Sequence, residues 1–78
     1  MEIAIYGPGC ARCVTTEKNV REALKQLGKN AEVKKITDIL QYAKANVMLT
    51  PAVVIDGDVK ISGKVPSVDE LKTIINSL

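Results

Sequence analysis

The sequence predicts an α/β domain whose elements follow the order β-α-β-α-β-β-α. Three observations favour this order: an alternating apolar segment opens the chain, helical spacing follows at once, and an uninterrupted apolar run lies beyond residue 50. A chain of 78 residues has room for one core, so residues 1–78 are expected to form a single domain.

The first strand and helix are separated by a loop of residues that interrupt regular secondary structure. Glu2–Tyr6 alternates like a strand, and Gly7-Pro8-Gly9 ends it. A helix is predicted over residues 13–27, ending at Gly28. Its apolar stripe has the spacing i, i+3, i+4 and i+7, at Val20, Ala23, Leu24 and Leu27.

A second strand and a short helix are predicted next. Residues 31–37 alternate like a strand, but which face is buried stays open. Asp38 and Gln41 form a capping-box pattern for a helix reaching about residue 45. The apolar side of that helix is expected to be Ile39, Tyr42 and Ala43.

The last three elements are a strand hairpin and a helix. Ala52–Ile55 is apolar throughout, as in a central strand buried on both faces. Asp56-Gly57 predicts a tight turn into a returning strand over residues 59–62. The pair Ser67 and Glu70 predicts a capping box for the final helix, whose buried stripe would be Val68, Leu71, Ile75 and Leu78.

The candidate site is the motif Cys10-Ala11-Arg12-Cys13, placed where the first strand turns into the first helix. The sequence contains these two cysteines and no histidine. A helix N-terminus offers unpaired N–H groups and a dipole that favour a thiolate. The setting therefore predicts thiol chemistry, for which a lone Cys-x-x-Cys would be only moderately specific.

The whole pattern resembles the small redox-active disulfide proteins, which are thioredoxin-like chains of archaea and bacteria. The shared features are Gly-x-Gly-Cys-x-x-Cys after a strand and Thr50-Pro51 before a hairpin and a last helix. The resemblance implies a thioredoxin-like fold, with a four-stranded mixed sheet flanked by three helices. In that fold Ala52–Ile55 runs antiparallel to Glu2–Tyr6, and residues 59–62 form an edge.

The resemblance and the residues together assign roles. Cys10 and Cys13 match the attacking and resolving cysteines, and Pro51 matches the cis-proline. Cys13 shares the helical spacing of the buried stripe, so it is expected to point inward. Thr50 is expected to offer backbone groups to an extended substrate segment. Arg12 either stabilises the Cys10 thiolate or is simply an exposed charge.

Two supporting assignments stay open at this point. Glu17 is either a proton acceptor for Cys13 or the partner of Arg21 in an ion pair. Val47, Met48 and Leu49 are expected to pack under the site. The segment Gly63 to Asp69 matches a glutathione-binding pattern only weakly, so a dithiol or flavin disulfide reductase is the expected electron donor.

The predicted function is thiol–disulfide exchange with protein disulfides, without a cofactor. The rival is a soft-metal module binding Cu(I) through Cys10 and Cys13, but that fold should end on a strand. A zinc site would need further ligands. A third possibility is a redox-inert adaptor, which the intact cysteine pair argues against.

The composition limits the classes of binding partner that are expected. The net charge of +2 does not favour nucleic-acid or membrane binding. The N-terminus goes directly into a predicted strand, so no signal peptide is expected. A monomeric, cytoplasmic protein is expected, in a compartment where a cysteine pair is more often catalytic or metal-binding than a structural crosslink.

Overall fold

A computed structural model describes residues 2–9 and 11–77, and within them the seven predicted elements occur in the predicted order. Each boundary lies within two residues of its expected position. Cys10 and Leu78, both assigned from the sequence, lie outside the described residues. The elements are β1 Glu2–Tyr6, α1 Ala11–Leu27, β2 Glu32–Ile36, α2 Ile39–Lys44, β3 Ala52–Ile55, β4 Asp58–Ser62 and α3 Val68–Asn76.

The four strands form one mixed sheet in the order β2-β1-β3-β4. β1 is parallel to β2 and antiparallel to β3, and β4 returns antiparallel to β3 as an edge strand. Tyr6 is in register with both Ile36 and Ala52, so the last residues of β1 and β2 lie beside the first residue of β3. This sheet confirms the predicted fold and places the end of β1, where the chain turns towards α1, at the end of the sheet where Thr50-Pro51 leads into β3.

The main core lies between the sheet and the pair α1 and α3. β1 and β3 supply alternate side chains to it, and the two helices supply their apolar stripes. Glu70 and Ser67 form the predicted capping box that starts α3. The buried members of this core are Ile3, Ile5, Val20, Ala23, Leu24, Val53, Ile55, Ile61, Leu71 and Ile75.

The opposite face of the sheet is covered by α2 and the segment after it. A smaller cluster forms there from Val47, Ala52 and Val54. The rings of Tyr6 and Tyr42 meet edge to face, with centroids 5.9 Å apart and planes at 73°. All four residues of β3 are buried, as its apolar run predicted.

The predicted apolar side of α2 is wrong apart from Tyr42. Ile39 is 75% exposed, and Ala43 is exposed as well. Asp38 does cap the helix, but its carboxylate accepts from the N–H of Leu40 rather than from Gln41 as a capping box requires. A helix of six residues has too few turns for a stripe, and the edge-to-face contact of Tyr42 with Tyr6 sets which side faces the sheet.

The open question about β2 is settled by its position at the sheet edge. None of its residues is fully buried. Val33 packs against the main core from the α1 side of the sheet, and Lys35 lies on that same side, in register with Ile5. An edge strand has a neighbour on one flank only, which explains its weak apolar pattern.

Candidate active site

The candidate site begins where β1 ends and the chain turns into α1. The N–H of Gly7 donates to the carbonyl of Ile36 at 3.0 Å, so the pairing of β1 with β2 continues one residue past the strand. Gly7 is buried, whereas Pro8 and Gly9 are exposed. The loop is therefore anchored at its first residue and open to solvent beyond it.

Cys13 lies on the buried side of α1, as the spacing predicted, and is only 3% exposed. A Cβ placed on Gly7 would come within 2.2 Å of the Cys13 Sγ and 3.2 Å of its Cβ. The thiol thus occupies the space that a side chain at position 7 would fill. Gly7 was predicted only as a breaker, and its contact with Cys13 is a second reason for glycine there.

Cys10, the predicted attacking cysteine, is outside the described residues. Its neighbours Gly9 and Ala11 are both exposed, and Ala11 is the first residue of α1. Its assigned role stays a prediction.

Gly63, just after β4, joins three parts of the site. Its N–H donates to the Pro51 carbonyl at 3.0 Å, and its own carbonyl accepts from Arg12 Nη2 at 3.4 Å. A Cβ on Gly63 would lie 3.0 Å from the side chain of Leu49, and its φ of +80° also favours glycine. The sequence-predicted residues Arg12 and Pro51 are therefore brought to one place through a residue that sequence reasoning did not single out.

The Thr50–Pro51 peptide bond is cis. Pro51 is fully buried and Thr50 half-buried. Among residues 2–9 and 11–77, the backbone N–H and C=O of Thr50 have no hydrogen-bond partner. This residue can thus offer backbone groups to another chain.

The expectation that Val47, Met48 and Leu49 all pack under the site is wrong for two of them. Val47 is buried in the smaller cluster, but Met48 is 91% exposed and Leu49 62% exposed. The site therefore presents apolar side chains outward.

Glu17 is held in ion pairs. Its carboxylate accepts from Arg21 Nη2 at 2.9 Å and lies 3.4 Å from Lys35 Nζ on β2. The hydrogen bond from Arg21 is the largest cause that lowers the pKa of Glu17, and Lys35 adds to it. A lowered pKa makes the carboxylate a weaker base, so the structure favours the ion-pair interpretation over a proton acceptor for Cys13.

Two polar residues of α1 were missed by sequence reasoning. Thr16 is fully buried, and its hydroxyl donates to the carbonyl of Arg12 at 2.9 Å. Asn19 donates from Nδ2 to the carbonyl of Pro66 at 2.8 Å, which ties the loop before α3 to α1. Thr16 follows Cys13 by three residues, a spacing that places both on one helix face. The bond from Asn19 has no local signal, because its partner is 47 residues away.

Comparison with known proteins identifies the family. The family model described as a thioredoxin domain matches residues 1–76. The chain belongs to the thioredoxin family. It is 46% identical to a thioredoxin of Methanothermobacter thermautotrophicus, over 97% of this chain and 99% of that protein. It is also 41% identical to a thioredoxin of Methanocaldococcus jannaschii, over 96% of this chain and 86% of that one.

Family membership confirms the resemblance inferred from the motifs. It supports thiol–disulfide oxidoreductase activity at the level of the family and does not favour the soft-metal module. The metal-binding fold was expected to end on a strand, whereas residues 68–76 form α3.

The described residues contain neither a side-chain cluster suited to a metal ion nor a membrane-spanning helix. Across residues 2–9 and 11–77, histidine, cysteine, aspartate and glutamate form no group of three or more suited to a metal ion. In the same part of the chain, no helix has the length and apolar character needed to cross a membrane.

The contact between Gly7 and Cys13 predicts a specific coupling. Gly7→Ala should lower the free energy of unfolding by about 1–3 kcal/mol, the usual cost of overpacking a core. In a Cys13→Ala background the same change should cost less, because the Sγ that meets the new methyl is gone. Urea unfolding of the wild type, the two single variants and the double variant completes the double-mutant cycle. An equal loss in both backgrounds would contradict this contact.

Glu17 should make stability depend on pH in the acid range. Because its folded pKa is lowered, its contribution is fully present above the unfolded pKa of about 4.3 and is lost as pH falls through the folded value. Between neutral and acid pH, the wild type should therefore lose more unfolding free energy than Glu17→Gln. Denaturant unfolding across this range measures both curves. Parallel curves would show that the ion pairs contribute nothing.

Proposed function

We propose that this protein reduces disulfide bonds in other proteins by dithiol–disulfide exchange through Cys10 and Cys13. The observation that carries the proposal is the burial of Cys13 against Gly7, in the first turn of α1, within a thioredoxin fold. Burial disfavours a charged thiolate, which suits Cys13 as the resolving thiol. A helix N-terminus favours a thiolate, which suits Cys10 as the attacking thiol.

The reaction has two exchange steps. The Cys10 thiolate attacks one sulfur of the substrate disulfide, the substrate S–S bond breaks, and a mixed disulfide forms as the first substrate thiolate leaves. Cys13 then loses its proton and attacks the Cys10 sulfur, which releases the second substrate thiolate. Two electrons pass to the substrate, whose thiolates take up protons, and the protein is left with a Cys10–Cys13 disulfide.

The oxidised protein must then be returned to the dithiol form. We infer that a protein dithiol or a flavin disulfide reductase supplies the two electrons. A cytoplasmic setting would suit this direction of transfer, because its thiol pool keeps exposed disulfides reduced.

The end of the sheet around Pro51 is proposed to hold the substrate. The backbone N–H and C=O of Thr50 can pair with an extended segment in the manner of an added strand. The exposed side chains of Met48 and Leu49 can cover apolar residues of that segment. Arg12 lies beside this region, where it is hydrogen-bonded to Gly63.

Insulin reduction tests the proposal. With dithiothreitol as electron source, turbidity from precipitating insulin chains should rise faster with the wild type than with Cys10→Ser, because the variant lacks the attacking thiol. Lys25→Glu, an exposed change in the last turn of α1, serves as the matched control and should behave as the wild type. Equal rates for the wild type and Cys10→Ser would refute the exchange function.

A further inference from the structure

Arg12 and Leu49 both contact Gly63, at the end of the sheet proposed to bind the substrate. The Arg12 guanidinium reaches the Gly63 carbonyl through Nη2, and the Leu49 side chain packs over the Cα of Gly63. Both side chains are exposed. A positive charge and an apolar surface therefore lie side by side next to Pro51, whose carbonyl is bonded to Gly63.

The charge of Arg12 is not balanced by a carboxylate within the described part of the chain. Arg12 enters none of the ion pairs found there, and its bond to the carbonyl is long at 3.4 Å. Lys64, the residue after Gly63, is held by Glu70. Arg12 is thus a cation at this end of the sheet with donors left for a ligand, since a guanidinium has five N–H groups.

We propose that Arg12 selects substrates in which the disulfide is flanked by a carboxylate side chain next to an apolar one. The guanidinium binds the carboxylate, and Leu49 with Met48 covers the apolar neighbour. The inference rests on the proposed exchange function and names its substrate class: acidic, locally apolar segments around an accessible disulfide.

The expected size of the preference follows from the exposure of the pair. An exposed ion pair changes binding by a small factor, so the second-order rate constants for acidic and neutral substrates should differ about two- to fivefold. The preference should shrink between about 0.01 M and about 1 M salt, because the screening length falls from about 30 Å to about 3 Å.

Three disulfide peptides that differ at one position provide the test. Each carries leucine beside the cystine and then glutamate, glutamine or lysine, and each is mixed with the reduced protein in a stopped-flow instrument. The wild type should reduce them in the order glutamate, glutamine, lysine. Arg12→Glu should reverse this order, and Arg12→Lys should keep it with a smaller spread, because an ammonium lacks the planar fork of Arg.

Ratios between peptides separate this role from others. A change in the reactivity of Cys10, or a loosened Gly63 loop, alters all three rates by one factor and leaves their order unchanged. Lys25→Glu makes the same change of net charge 13 residues further along α1, roughly 20 Å away. This control should leave the order as in the wild type.

Two results would overturn the inference. One is an Arg12→Glu protein that retains the wild-type order, and the other is a Lys25→Glu protein that reverses it as strongly as Arg12→Glu. Failure of the underlying exchange function is distinguishable, because the wild type would then reduce none of the three peptides.

Discussion

Cys13 reaches the core because residue 7 has no side chain. The Sγ of Cys13 occupies the place where a Cβ of Gly7 would be, in the region where β1 ends and α1 begins. Gly7 is itself fixed to β2 through its bond to Ile36. This contact sets how closely the start of α1 approaches the sheet, and the inward stripe of α1 continues from it through Thr16 and Val20.

The second half of the site is joined to the first through Gly63. The residue bonds to Pro51 and Arg12 and lies against Leu49, so one backbone position links the loop before β3 to the start of α1. Asn19 adds a second bond, from α1 to the loop before α3 at Pro66. These hydrogen bonds tie the two loops to α1, so that the loops are supported by a regular element of the domain.

The sequence predicted the fold well where the signals are local and periodic. Alternation in β1, the apolar run of β3 and the capping box at Ser67 each determine an element on their own. The inward position of Cys13 followed from its spacing to Val20. These features depend on neighbours within one or two turns, or on the two-residue repeat of a strand.

The rest depended on distant partners that a single sequence does not display. The exposure of Ile39 reflects the edge-to-face contact of Tyr42 with Tyr6 on the face of the sheet. Val47 packs in the smaller cluster on the sheet, whereas Met48 and Leu49 are exposed, and nothing in the local pattern separates the three. In the sequence, Gly63 looks like any glycine that ends a strand. Its bonds to Pro51 and Arg12, which are distant in the sequence, place it in the site.

The measurement that most directly tests the account is the relative alkylation of the two sulfurs. Reduced, folded protein is treated with iodoacetamide at neutral pH, and the labelled peptides are mapped by mass. Because Cys13 is buried against Gly7, we predict that Cys10 is labelled much faster, and that the difference disappears in denaturant. Equal labelling of the two cysteines in the folded protein, or faster labelling of Cys13, would contradict the account.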